Sequence, residues 1–318
     1  MNLAELNKVA VAMTANGRGI LAAAESSSTI KMRFDAIRVE STADSWRDHR
    51  QLLVRSTDPM KSHSSGVILY DETIRQNAKD GTPLVKVVER VGSLPGIKVD
   101  KGTTPLPYCP GEVITEGLDG LRERLAEYRG LGAKFTKWRA VIDIGACIPT
   151  WSCVKANAHA LARYAALCQE EQVVPIVEPE VLMDGGHDID TCYGITEWVL
   201  CTVYNALFEA RAARRHRAQT QHGDPRQEVG QAGFRREDRG GLKATVPATV
   251  PGIAFLSGGQ SDEEATAHLD AMNRIGGLSW TFTFSEGRTL SAAHDKGADV
   301  GGRLGTVHRS PFRPLSKI

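Results

Sequence analysis

The stretch "ARAARRHRAQTQHGDPRQEVGQAGFRREDRGG", Ala210 to Gly241, contains no Leu, Ile or Met, and its only large apolar residues are Val229 and Phe234. Dense apolar segments flank it, "ITEWVLCTVYNALF" (195–208) before and "VPGIAFLSGG" (250–259) after. A core-poor basic run between two core-forming segments leaves a hole in the layer those segments build. Its place in the order of elements therefore decides the fold.

Working outward, strand-like runs recur as "GRGILAAA" (17–24), "SGVILYDE" (65–72), "GIKVDKG" (96–102), "KFTKWRAVIDI" (134–144), "VVPIVEPEV" (173–181), "GIAFLSGG" (252–259) and "LSWTFTFSEG" (278–287). Helical periods separate them. "GLDGLRERLAEYRGLG" places Leu118, Leu121, Leu125 and Tyr128 on one face, and "VKANAHALARYAALCQEE" and "IDTCYGITEWVLCTVYNALFEA" repeat the pattern. Asp262, Glu263 and Glu264 suit the first turn of a helix after "SGGQS", where the macrodipole favours acids. Strands alternating with helices, and reading as continuous apolar runs, argue for a parallel sheet covered by helices. The candidates amount to a TIM (β/α)8 barrel with one strand missing. The spacing places the gap between about 181 and 252, in a region holding one helix and room for a strand, so the missing sixth strand falls at about 211–241.

Composition bounds the rest. The chain has 318 residues, 41% hydrophobic, and a formal net charge of +1, so it is not a polyanion binder by overall composition. The six cysteines (109, 147, 153, 168, 192, 201) show no CxxC and no metal spacing. Most fall in apolar periodic segments, which predicts buried free thiols and a reducing, cytoplasmic compartment. The N-terminus reads as a short amphipathic helix, and no window approaches about 18 uninterrupted apolar residues, so neither a leader nor a membrane span is expected. A nucleic-acid-binding arm at 210–241 is disfavoured because the run lacks interleaved aromatics.

In such a barrel, chemistry sits at the C-terminal ends of the strands. Lys98 precedes Asp100 in "GIKVDKG". Lys137 and Arg139 share one face of "FTKWRAV", as Glu178 and Glu180 do in "IVEPEV". Ser257, Gly258 and Gly259 end one strand in a glycine-rich turn before a helix, and Ser285 and Arg288 end the last. Any one of these is ordinarily a solvated rim residue or a tight turn, and Asp100 has Lys98 and Lys101 as simple partners. Their convergence suggests more. Backbone N–H groups of a glycine turn and arginine forks suit a phosphate. Lysines held together favour a nucleophilic amine, and a neighbouring Glu moves protons. The chemistry so indicated is carbonyl chemistry on a phosphorylated small molecule.

The motifs "GRGILAAAES", "GVILYDETIRQ", "DGTPLVKVVE", "PGIKVDKG", "GLDGLRERL", "FTKWRAV", "VPIVEPEV", "GIAFLSGGQSDEEA" and "FSEGR" occur in this order, and the chain resembles class I fructose-1,6-bisphosphate aldolase over about 1–210 and 242–293. The resemblance implies a TIM barrel, no metal or other cofactor, a cytoplasmic homotetramer, and cleavage of fructose 1,6-bisphosphate to dihydroxyacetone phosphate and glyceraldehyde 3-phosphate through a lysine Schiff base. It implies proton transfer by Glu178, with Glu180 supporting the lysine. Lys137, Lys98 and Arg139 would line the site. Ser257, Gly258, Gly259, Ser285 and Arg288 would hold one phosphate; Ser26, Thr29, Arg33 and Arg47 fall where the family binds the other end.

Two positions depart from the family. Strand one should end "LAADES", with an Asp that handles the C4-hydroxyl proton, but Ala24 stands there. The Schiff-base lysine of strand six, carried in a motif like "LEGTVLKPNMV", is absent. The genetic code offers a reason. With suitable synonymous codons and a one-base shift, "RAARRHRAQTQHGDPRQE" (211–228) re-reads as Val-Leu-Leu-Glu-Gly-Thr-Val-Leu-Lys-Pro-Asn-Met-Val-Ile-Pro-Gly-Lys-Lys. The lysine codon arises across Gln219 and Thr220. Residues 211–241 thus read as an out-of-frame translation, whether from a misread base, a pseudogene or a genuine double slip. The expected domain is a single barrel over 1–293. The tail 294–318 loses the family pattern and reads as a disordered end. The chain as written is then expected to be impaired in aldol cleavage. The alternatives are a catalytically dead sugar-phosphate-binding scaffold and an aldolase for another ketose bisphosphate.

Overall fold

The computed structural model describes residues 3–15, 17–25, 27–36, 38–55, 57–215, 245–248, 250–256, 262–274, 277 and 279–286. In chain order the elements are α1 (Leu3–Met13), β1 (Gly19–Ala22), α2 (Ser27–Ala36), α3 (Ala43–Arg55), α4 (Thr57–His63), β2 (Ser64–Leu69), α5 (Asp71–Arg75), α6 (Leu84–Arg90), β3 (Leu94–Lys98), β4 (Thr103–Pro105), β5 (Val113–Thr115), α7 (Leu121–Leu131), β6 (Phe135–Ile142), α8 (Trp151–Glu170), β7 (Val174–Val181), α9 (Ile189–Arg215), β8 (Gly252–Phe255), α10 (Asp262–Arg274) and β9 (Thr281–Glu286).

Seven strands form one parallel sheet in the order β7-β6-β3-β2-β1-β9-β8, and β4 and β5 make a small antiparallel hairpin beside it. This is the strand order of an eight-stranded (β/α) barrel read from position five back through one to seven. Among the described residues the sixth position is unfilled, and the edges it would join are β7 and β8. The seven strands anticipated from the sequence are the seven observed. The segment where the spacing put the missing strand, about 211–241, lies outside the described residues beyond Arg215, and α9 continues through Arg215 into its first residues. Ala and Arg are good helix formers, so "EARAARR" extends the preceding helix. The remainder of that run, the C-terminal tail and the boundaries of the expected single domain lie outside the described residues.

The sheet curls, and its burial pattern shows why. One apolar cluster packs Ile20 of β1, Ile68 of β2, Phe135 of β6, Val174 and Ile176 of β7, and Ala254 of β8 against Leu6, Ala10 and Met13 of α1. Residues on the two edge strands share one interior, which a flat sheet cannot arrange. The apolar face of α1 closes the bottom of this lumen. Alternate strand residues face outward. Trp138, Ala140 and Ile142, for example, belong to a second, larger cluster with Tyr164 and Leu161 of α8. The period of two thus separates a lumen from a helix-covered outer layer.

The lumen is filled by size-matching. Register pairs Gly96 with Phe135, and an added Cβ at Gly96 would lie 2.2 Å from the Phe135 ring; at Gly66 it would lie 2.8 Å away. The fully buried Phe135 therefore occupies the space those glycines leave. Gly96→Ala is expected to destabilise the fold by about 1–3 kcal/mol through overpacking, with partial recovery on adding Phe135→Leu. Urea unfolding of the single and double variants checks this, and an unchanged Gly96→Ala midpoint rejects it.

Pro175 and Pro179 sit inside β7. The Val174 N–H bonds the Lys134 carbonyl across to β6, so the alternate positions, which hold both prolines, direct their backbone toward the open edge. Proline is tolerated there because no ladder bond to β6 is lost.

The cysteine expectation is partly corrected. All six thiols are free, but only Cys153 and Cys168 are buried, each pushed up to about 12, chiefly by burial. Cys147 and Cys201 are exposed, because Cys147 lies in a loop and Cys201 on the outward face of α9.

Candidate active site

Above the apolar floor the lumen turns polar. β3 and β6 present Lys98 and Lys137 in register, and β6 and β7 present Arg139 opposite Glu178 and Val141 opposite Glu180. Because parallel neighbours in register point to one face, these five charged side chains converge at the C-terminal end of three adjacent strands. Each strand contributes its polar residues last, after the residues that pack the floor.

The charges are paired diagonally. Lys137 Nζ lies 2.7 Å from Glu178 Oε2, and the pair is nearly buried, at 11% and 2% side-chain exposure. Arg139 Nε donates to Glu180 Oε2. Lys98 Nζ donates to Asp100 Oδ1 at 2.5 Å, and Asp100 also accepts from the backbone N–H groups of Gly102 (3.2 Å) and Arg139 (3.4 Å). Of the two simple partners weighed for Asp100, it is Lys98 that it meets.

Glu178 is electrostatically distinct. Burial is the largest influence and raises its pKa above the ordinary carboxylate range. Lys137 and Arg139 oppose the rise, and Glu180 adds to it. Its Oε1 is buried and has no hydrogen-bond partner among the described residues. A carboxyl whose pKa is raised by burial, beside an amine, is suited to passing a proton.

The other anticipated residues fall out as follows. Ser285, in register with Ile20, faces the lumen; it is buried, and its hydroxyl is without a hydrogen-bond partner among the described residues. Ala24 follows β1 and packs on the lumen cluster with a methyl group, which neither donates nor accepts a proton. Arg47 is held on α3 by Asp44 (2.7 Å) and Asp48 (3.0 Å), so its described partners both belong to its own helix. Thr29 and Arg33 lie on α2, and their side chains are outside the described residues, as are Ser26, Ser257, Gly258, Gly259 and Arg288.

One participant was not legible in the sequence. Arg50 of α3 is 1% exposed, and its guanidinium donates to the Glu25 carbonyl (2.9 Å), to Glu72 (3.4 Å) and to the Thr73 hydroxyl. It ties the chain leaving β1, next to Ala24, to the start of α5 after β2. An arginine on an amphipathic helix reads as solvated, and only the fold shows that its acceptors come from two strand exits.

Comparison with known proteins agrees with the fold and gives the family. The family model for fructose-bisphosphate aldolase class-I matches residues 5–299. A probable fructose-bisphosphate aldolase class 1 of Xanthomonas campestris is 50% identical over 303 residues, covering 92% of this chain and 89% of that relative. The fructose-bisphosphate aldolase of Drosophila melanogaster is 45% identical over 300 residues, covering 91% and 81%. The solved structure of fructose-bisphosphate aldolase from Plasmodium falciparum, in complex with TRAP and a small molecule inhibitor, superposes with a TM-score of 0.83 at 36% identity, covering 96% of this chain and 90% of that one. A family match across nearly the whole chain, close relatives and a shared barrel leave one conclusion: the chain belongs to the class I fructose-bisphosphate aldolase family.

Proposed function

We propose that the lumen site takes fructose 1,6-bisphosphate, the substrate of the glycolytic lyase reaction of this family, and that the chain as written binds it with little carbon–carbon cleavage. The observation carrying the reading is the convergence of Lys98, Lys137 and Arg139 with Glu178 and Glu180 at one end of the lumen. Cations there suit a phosphorylated sugar, and the buried Glu178, its pKa raised by burial, suits acid–base work. The buried atoms Glu178 Oε1 and Ser285 Oγ, without hydrogen-bond partners among the described residues, are polar groups that a polar ligand would satisfy. In the same reading Ser257, Gly258, Gly259 and Arg288 join Ser285 at one phosphate, and Ser26, Thr29, Arg33 and Arg47 serve the other end.

The impairment follows from what the chain lacks. Ala24 accepts no proton, and there is no lysine between Lys155 and Lys243, so none is available for the strand-six position. Calorimetric titration with fructose 1,6-bisphosphate alongside a cleavage assay tests both halves. Saturable binding with cleavage far below the usual kcat range of about 1–10³ s⁻¹ is expected. Turnover within that range rejects the impairment, and absence of binding rejects the site. A single barrel domain over 1–293, a homotetrameric state and a cytoplasmic location are proposed on the family resemblance. Among the described residues no helix is long and apolar enough to cross a membrane.

A further inference from the structure

A lumen without the strand-six lysine still contains amines. Among the described residues two lysines project into it, Lys98 and Lys137, in register on neighbouring strands. Their partners differ in a way that matters for reactivity. Asp100, beside Lys98, is fixed at both oxygens by backbone donors, Gly102 on Oδ1 and Arg139 on Oδ2. A carboxylate held at both oxygens is fixed in place as the hydrogen-bond partner of Lys98. Glu178, beside Lys137, meets the amine through Oε2 at 2.7 Å, while its buried Oε1 has no partner among the described residues. That contact gives the Lys137 proton a direct path to a carboxylate whose pKa is raised by burial, and it leaves Oε1 available to a ligand in the lumen.

We infer that Lys137 is the nucleophilic amine of this chain, forming an imine with the carbonyl of a small ketose phosphate, with Glu178 as the proton carrier. The inference rests on the lumen being a sugar-phosphate site. The step begins with a proton moving from the Lys137 ammonium to Glu178 along their contact. The amine lone pair then adds to the ketone carbon, and the carbonyl π pair moves to oxygen, which takes the Glu178 proton. The new N–H⁺ returns a proton to the carboxylate. Glu178 then protonates the hydroxyl, which leaves as water while the nitrogen lone pair closes the C=N⁺ bond. In sum, a neutral amine, a neutral acid and a ketone give an iminium ion, a carboxylate and one water, with nothing oxidised or reduced. Imine formation is separate from cleavage, which still needs the proton acceptor that Ala24 does not supply.

The test traps the imine. The full chain is incubated with dihydroxyacetone phosphate, reduced with borohydride and digested, and the labelled peptide is identified by mass spectrometry. Label is expected on Lys137, absent in Lys137→Arg and formed about 10²-fold more slowly in Glu178→Gln. It should persist in Lys155→Arg, a control whose lysine lies over the Trp151 ring on the outer helix layer. Label on Lys98 or on any other amine, label unchanged in Lys137→Arg, or no label at all overturns the inference. Titration of the same preparations with fructose 1,6-bisphosphate and with inorganic phosphate separates the two readings. Binding without label removes Lys137 alone, whereas no binding removes the sugar-phosphate site as well.

Discussion

A chain with residues 211–228 replaced by the shifted reading, and with Ala24→Asp, is expected to cleave fructose 1,6-bisphosphate about 10⁴-fold or more faster than the chain as it stands. The replacement supplies two missing things. The first is an apolar strand for the position between β7 and β8 that no described strand fills, whose facing edges are Val174–Val181 and Gly252–Phe255. Closure satisfies backbone groups on both edges and replaces a segment whose charged residues would be costly in a packed interior. The second is a lysine in place of Gln219, at the strand end where barrel chemistry is done. The Asp at position 24 provides the proton acceptor, a role worth about 10²–10⁴-fold by itself. Either change alone is expected to recover far less, because nucleophile and acceptor act as a unit and their effects do not add. Steady-state kinetics of the two single variants and the combined one decides the matter. A combined variant no faster than the original chain sinks both the strand-six assignment and the role given to position 24.

Much of this architecture was legible because apolar patterning controls it. The period of two in "FTKWRAV" and "IVEPEV" fixes which residues face the lumen, so Lys137, Arg139, Glu178 and Glu180 are legible as one group from the sequence alone. The expected place of the missing strand has the complementary basis, since a run without Leu, Ile or Met offers little to build a barrel strand from. Pairing was not readable. That Lys137 meets Glu178 while Arg139 meets Glu180 depends on the stagger between β6 and β7, which sequence spacing does not encode. Nor was the burial of Arg50, whose acceptors come from two segments, Glu25 after β1 and Glu72 and Thr73 of α5. Cysteine exposure failed for a simpler reason. A helix such as α9 buries only one stripe, and Cys201 falls outside it.

The second large effect concerns stability and follows from the same pair. Lys137→Met is expected to cost about 3–5 kcal/mol at neutral pH, because it leaves Glu178 buried without its counter-charge. Arg139 is a poor substitute, being engaged by Glu180, whose own charge raises the Glu178 pKa further. The sign of the pH dependence follows from the direction of that shift. Glu178 binds its proton more tightly folded than unfolded, so its contribution to stability is fully present below the unfolded carboxyl pKa and is lost as pH rises through the folded pKa. Removing Lys137 deletes the main influence that lowers the folded pKa, so this loss deepens. The deficit of Lys137→Met relative to the unmodified chain should therefore be small near about pH 4 and widen steadily toward about pH 8. Adding Glu178→Gln removes the titrating charge while keeping the shape of the side chain, and should recover most of the deficit and flatten its pH dependence. Denaturant unfolding across that range measures both effects. A deficit independent of pH, or one that Glu178→Gln leaves in place, would mean that Lys137 stabilises the barrel by packing its methylene stem rather than by holding the charge of Glu178.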